Sequence, residues 1–292
     1  MSNKIIAGLD GSGADTASAD WAAEEAELRG AGLELLHVED WPEYAPFALP
    51  LPEARRQWTD DLLAATRKRL EHAHPALAIR TRRIDGRPVA DGLAAAAADA
   101  DLLVLGSRRL GAVAGFLVGS TGSDTLPRTE TPVVLVRAAP ETGDTAGRKA
   151  DGGPVVLAVD LHSNCDRLFA FACEEAHRRS CPLVVVHGWS PPPMLAYAPI
   201  VDPGVEQEIA DGLEATLREL LSPWQSKYPR LAIDSRSVIG QPAVQILEAA
   251  TGAALVVVGR RIRRAALGSH IGPITHAVMH HAPSPVAVVA HD

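Results

Sequence analysis

Ile5-Ile6-Ala7-Gly8-Leu9-Asp10 is met a second time, apolar for apolar and acidic for acidic, as Val155-Val156-Leu157-Ala158-Val159-Asp160. Working outward, Leu35-Leu36-His37-Val38 returns as the run Val184-Val185-Val186-His187, and Asp85-Gly86-Arg87-Pro88 as Ile239-Gly240-Gln241-Pro242. Leu102-Leu103-Val104-Leu105-Gly106 returns as Leu255-Val256-Val257-Val258-Gly259, and Thr131-Pro132-Val133-Val134 as Ser284-Pro285-Val286-Ala287. A period of about 150 residues is a duplicated domain, since solenoid repeats run to about 20–50. The spacing predicts a first domain over 1–137, a linker over 138–153 rich in Ala, Gly, Thr and Asp, and a second domain over 154–292.

Within each copy, short runs of Val, Ile and Leu alternate with longer Ala-rich or amphipathic stretches. In the first copy these predict strands over 4–9, 33–38, 77–84, 101–106 and 132–136, and helices over 14–30, 53–73, 88–99 and about 120–126. The second copy predicts strands near 154–159, 183–187, 231–238, 254–259 and 285–290. Continuous apolar runs suit strands covered on both faces, as in a parallel sheet. Strand–helix alternation with right-handed crossovers then gives an α/β fold of two tandem doubly wound domains. The Pro-rich segments 40–52 and 189–204 read as surface excursions at one place in both copies.

Composition narrows the function. Of 292 residues, 47% are apolar and 22% charged, which excludes a disordered chain, and no apolar run is long enough to cross a bilayer. The formal charge of −8 argues against nucleic-acid or anionic-lipid partners, and 4% aromatic content argues against base-stacking platforms. The start Met1-Ser2-Asn3-Lys4 runs straight into a strand pattern without a signal peptide, so a cytoplasmic location is expected. The three cysteines, Cys165, Cys173 and Cys181, are too few and too widely spaced for a disulfide framework or thiolate metal site, and read as buried thiols.

In doubly wound sheets, ligands bind beyond the carboxyl ends of the strands. Asp10 stands at such an end, either as a turn former or helix cap or as a ligand-binding carboxylate, and His37 at another, either structural or functional. After the fourth strand comes Gly106-Ser107-Arg108-Arg109-Leu110-Gly111, and, further on, Gly119-Ser120-Thr121 opens a helix. A glycine and two hydroxyls at a helix start form an anion cradle, and Arg108 and Arg109 add charge suited to phosphate; the bland reading is a mobile glycine-rich connection. Neither G-x-x-x-x-G-K-[ST] nor a G-x-G-x-x-G after the first strand occurs, so P-loop and dinucleotide readings fall away.

These residues resemble the universal stress proteins, in the two-domain form found in actinobacteria, over nearly the whole chain. The shared features are G-x2-G-x9-G-[ST] after strand four, an aspartate ending strand one, and the leucine–histidine–valine run of strand two. The resemblance implies a five-stranded parallel sheet per domain in the order 3-2-1-4-5, pairing through the last strand, and ATP over the strand ends, with Mg as its companion. Asp10, preceded by Gly8 and Leu9, and the Val38 backbone would hold the adenosine end. Leu105, Gly106, Gly119, Ser120 and Thr121 would line the triphosphate. Two departures matter: Arg109 replaces the second signature glycine, and in the second copy Asp160, Gly259 and Gly272 remain while Ile262 and Pro273 replace the other signature positions. The second site is therefore expected to be the weaker one.

Other clusters weigh less. His276 and His280 have the spacing of a helical metal pair but no third ligand, so no metal is expected. Arg260-Arg261-Ile262-Arg263-Arg264 is a basic run, either solvated or an anion or phosphoprotein contact. No catalytic constellation is legible. The expectation is a stress-response module that binds an adenine nucleotide mainly in its first domain, with an unidentified protein partner and little or no turnover. The alternative is a nucleotide-free interaction protein with vestigial glycine loops. Apolar last strands, at 131–136 and 284–289, predict pairing of the two copies through those edges, leaving other surfaces for a homodimer.

Overall fold

Strand β1 (Lys4–Gly8) carries three consecutive side chains, Ile5, Ile6 and Ala7, with no exposure at all. Successive strand residues point to opposite faces, so such a run survives only where both faces are covered. A computed structural model describes residues 3–40, 52–109, 116–117, 120–137, 153–190, 203–262 and 271–292. The chain divides into two units, Met1–Gly147 and Arg148–Asp292, and the linker predicted over 138–153 lies, but for Gly153, outside the described residues. So do most of the expected excursions at 40–52 and 189–204.

The first unit continues with α1 (Asp15–Arg29), β2 (Gly32–Glu39), α2 (Pro52–Ala73), β3 (Ile79–Asp85), α3 (Val89–Ala97), β4 (Leu102–Arg109), β5 (Phe116–Leu117), α4 (Ser120–Thr125) and β6 (Val133–Arg137). Parallel pairing of β1 with β2 and β4, of β2 with β3 and of β4 with β6 gives the order β3-β2-β1-β4-β6. The second unit has β7 (Val155–Ala158), α5 (Asp166–Arg178), β8 (Leu183–Trp189), α6 (Pro203–Lys227), β9 (Ile233–Ile239), α7 (Pro242–Ala249), β10 (Leu255–Arg261), α8 (Pro273–His281) and β11 (Val286–His291). Its parallel order is β9-β8-β7-β10-β11, the same path. The doubly wound α/β fold is thus realised twice.

Two details depart from expectation. β4 does not stop at Gly106 but continues to Arg109, where Arg108 and Arg109 pair antiparallel with Leu117 and Phe116 of β5. The segment read as a flexible connection is, at both its ends, backbone-paired, because an emerging strand can keep its ladder by folding back on itself. β10 likewise runs past Gly259 to Arg261, held by β11 through the Arg261–His291 register.

Small residues set the helices close to the sheet: Ala19, Ala22, Ala23 and Ala26 of α1 are fully buried. α1 ends at Gly30 in the left-handed conformation, φ 60°, and Ala31 N–H returns to the Ala26 carbonyl at 2.8 Å. The duplicated turn keeps this shape with Ser180 at φ 51°, and Cys181 N–H reaches the Ala176 carbonyl at 3.0 Å. Cys165, Cys173 and Cys181 are buried, and burial raises all three thiols above the ordinary range. Among the described residues, no helix is long and apolar enough to cross a membrane.

Candidate functional site

In each unit the path through the sheet reverses once. From β1 the chain moves outward through β2 to β3, then returns to add β4 and β6 on the other side. The crevice beyond the ends of β1 and β4, and of β7 and β10, is the topological switch point, where side loops diverge and a ligand can enter.

Several of the expected first-unit residues stand at or near the ends of β1 and β4. Gly8 closes β1 in register with Leu105 of β4, and a Cβ on Gly8 would stand 2.7 Å from the Leu105 side chain. Leu9 follows with its N–H on the Leu36 carbonyl at 2.8 Å. The Asp10 carboxylate accepts the Ser12 N–H at 2.9 Å, an Asx turn rather than a cap on α1. Val38 is buried near the end of β2, and Ser120 and Thr121 open α4 as exposed residues. Arg108 and Arg109 close β4, and Gly119 lies outside the described residues. Gly106 has a packing role of its own: a Cβ there would stand 2.9 Å from Ala14 Cβ at the start of α1.

Two residues around the Asp10 loop, Asp15 and Trp58, were not singled out from the sequence. Asp15, nearly buried, accepts the N–H groups of Asp10 (3.1 Å) and Gly11 (2.7 Å) and so fixes the loop after β1. Burial pushes its carboxyl up to about 6; those two N–H bonds oppose the rise and the adjacent Asp10 charge adds to it. Trp58, half-exposed on α2, meets the His37 ring edge-on at 5.7 Å, and a Cβ on Gly11 would overlap its indole at 2.4 Å. A lone large aromatic on a polar helix is the one sequence signal that could have marked it. His37 itself is tied down, its Nδ1 lying 2.8 Å from the Leu9 carbonyl, and His187 repeats the bond to the Val159 carbonyl at 3.1 Å. A carbonyl only accepts, so Nδ1 carries the proton and each histidine fixes the strand-one end.

The second unit holds a cavity of about 420 Å³ at its switch point, within the span of ligand sites. Asp160, Gly259 and Gly272, the three residues expected of the second copy, all line it. Buried Leu168, Ile246 and Val258 form an apolar wall, and half-exposed Asp160 and Arg261 stand at the rim. Arg261 donates to Asp160 Oδ2 at 2.9 Å and to Ser163 Oγ at 2.5 Å, while Ser163 donates to the same carboxylate oxygen at 3.0 Å. The His162 N–H reaches Oδ1 at 3.1 Å. Burial works against the Asp160 charge, but these donors and the Arg261 guanidinium outweigh it and hold the carboxyl below its ordinary value. The basic run therefore begins inside a strand, with Arg260 buried and Arg261 across the rim, while Arg263 and Arg264 lie outside the described residues.

The His276 and His280 rings face each other at 4.2 Å, and burial together with its histidine neighbours pulls His276 below the usual imidazole range. Among the described residues, no three His, Cys, Asp or Glu side chains gather into a metal-holding group.

Comparison with known proteins agrees with this architecture. The model of the universal stress protein family matches residues 1–137 and again 153–290. Universal stress protein Rv2623 of Mycobacterium tuberculosis is 34% identical over 291 residues, spanning 97% of this chain and 95% of that protein. The crystal structure of a universal stress protein from Archaeoglobus fulgidus covers all of both chains with a TM-score of 0.75 at 16% identity, a likeness of fold. The structure of the universal stress protein from the same organism in complex with dAMP matches 45% of this chain and 95% of that one, at 18% identity and a TM-score of 0.35. With both halves of the chain matched by one family model, the protein belongs to the universal stress protein family.

Proposed function

We propose that the chain is an adenine-nucleotide-binding regulatory module that holds ATP in its first unit and acts through the bound state rather than through turnover. The observation that carries this reading is the placement of Asp10 and the β4 end on either side of the switch point. The half-exposed Trp58 indole beside the Asp10 loop supports it, since a flat aromatic wall suits a purine base. Asp10 and the Val38 backbone would hold the adenosine end; Leu105, Gly106, Gly119, Ser120 and Thr121 would line the phosphates, with Arg108 and Arg109 adding charge. Mg would arrive with the phosphates. The carboxylates of Asp10 and Asp15 both accept loop N–H groups, which suits binding more than proton transfer.

The test is nucleotide content and affinity. Mass spectrometry of the purified, denatured protein is expected to release an adenine nucleotide. Calorimetry is expected to show ATP binding that Gly119→Glu abolishes, because a carboxylate within a few ångströms of phosphate is repelled by kcal/mol at surface-like dielectric. Unchanged affinity in that variant, with intact circular dichroism, would sink the site. Absence of both nucleotide and binding heat would favour the nucleotide-free interaction protein.

A further inference from the structure

We propose that the second-unit cavity takes a nucleoside monophosphate rather than a triphosphate, and that Arg261 makes the choice by exchanging Asp160 for the ligand's single phosphate. This rests on the reading that the switch-point clefts of these units hold adenine nucleotides. Both halves of the recognition stand at one rim, Asp160 at the end of the first strand and Arg261 at the end of the fourth. Each side chain is about half-exposed, 52% and 53%, and pairs of that kind are weak and open easily. A phosphate monoester carries nearly two negative charges and matches the guanidinium fork, so it competes well for Arg261. Released, Asp160 keeps its His162 and Ser163 donors and gains an oxygen lone pair for a ligand hydroxyl. The anion and the hydroxyl are therefore satisfied together, and a nucleoside without phosphate has nothing with which to displace the arginine.

Among the described residues, a longer phosphate chain finds little to hold it. Where the first copy has Ser120-Thr121, the cavity is lined by Pro273 and Ile274, which offer no hydroxyl, and the proline has no N–H. The Thr275 hydroxyl is spent on the Gly259 carbonyl at 2.7 Å. The His291 ring lies against Gly259, its Nε2 only 2.6 Å from where a Cβ would stand. Burial, with the nearby Arg261 charge, keeps His291 below the imidazole range, so it adds no positive charge at neutral pH. Among the described residues lining the cavity, Arg261 is the one guanidinium and there is no lysine.

Photolabelling of the full chain with 8-azido-AMP and 8-azido-ATP, followed by peptide mapping, reads each unit separately. The monophosphate is expected to label peptides within 154–292, with protection by AMP and not by equal adenosine or ATP. Arg261→Gln is expected to lower that labelling affinity roughly tenfold, the worth of one charge-assisted contact. Pro273→Ser combined with Ile274→Thr is expected to bring ATP labelling into the second unit, a gain no loss of folding imitates. Equal labelling of the second unit by ATP in the parent protein, or indifference of AMP labelling to Arg261→Gln, overturns the proposal. Labelling confined to first-unit peptides overturns it while leaving the first-unit reading intact; no labelling of either unit overturns both.

Discussion

Asp15 shows how one residue under a binding loop couples site geometry to pH. Its carboxylate holds the Asp10 and Gly11 N–H groups, yet burial raises it to about 6 from an ordinary 3.8. A carboxyl with a raised folded-state pKa binds its proton more tightly folded than unfolded, so ionising it costs stability. The favourable contribution is complete below 3.8 and is lost as pH rises through about 6. Asp15→Asn keeps an oxygen for the loop N–H groups and removes the charge beside Asp10. We expect it to raise stability at pH 7.5 by on the order of 1–2 kcal/mol, after discounting for solvent screening, and to change little at pH 4. Urea denaturation of both proteins across that range checks it; a pH-independent difference would assign the effect to something other than this charge. In the second copy the corresponding residue is Cys165, whose Sγ lies 3.4 Å from the Asp160 carbonyl, so the pH response belongs to the first unit.

At the scale of elements, the two copies make opposite choices at one pair of equivalent positions. Val38 on β2 faces Gly92 on α3, where a Cβ would meet Val38 Cγ1 at 2.6 Å. In the second copy Gly188 takes the place of Val38 and Ile246 that of Gly92; both line the cavity, and a Cβ on Gly188 would meet Pro242 Cα at 2.6 Å. Large-on-strand with small-on-helix has become small-on-strand with large-on-helix. Gly92→Ile alone should cost about 1–3 kcal/mol as overpacking, and Val38→Gly alone should cost stability through lost burial. The double variant should be more stable than the sum of the two by roughly 1 kcal/mol or more. Additive losses in a thermal double-mutant cycle would show that the residues do not compensate.

That exchange also marks what the sequence could tell. Apolar runs such as Ile5-Ile6-Ala7 and Leu102-Leu103-Val104 announced covered strands, and their recurrence announced the duplication. The strand-end residues Asp10 and Asp160 followed from the fold. Gly188 and Ile246 are far apart in sequence, and only the folded sheet brings them to one cavity. Arg261 was visible only as part of a basic run, since its meeting with Asp160 spans 101 residues. The two-residue β5 had too few side chains to leave any periodicity.

For the whole molecule, the decisive feature is the edge at which each unit's sheet ends. Within the first unit β6 pairs with β4 alone, and its Val133, Val134, Leu135 and Val136 are buried between the layers. The opposite edge strand, β3, is protected by charge, with Arg80, Arg82, Arg83 and Asp85 in seven residues; β6 has only Arg137 at its end. In a unit taken by itself, a short, largely apolar edge of this kind would present a row of backbone donors and acceptors, which folded proteins pair or cover. The expectation that the last strands of the two copies serve each other is tested by removing one copy. Residues 1–140 expressed alone should keep the first sheet and self-associate into a homodimer through β6, since the edge finds a second copy of itself. Replacing Leu135, whose N–H points away from β4, by proline removes a donor from that edge and should return the fragment to monomer, provided its circular dichroism is kept. A fragment that light scattering shows to be a stable monomer at tens of micromolar would mean that β6 needs no partner strand, and the pairing would be abandoned.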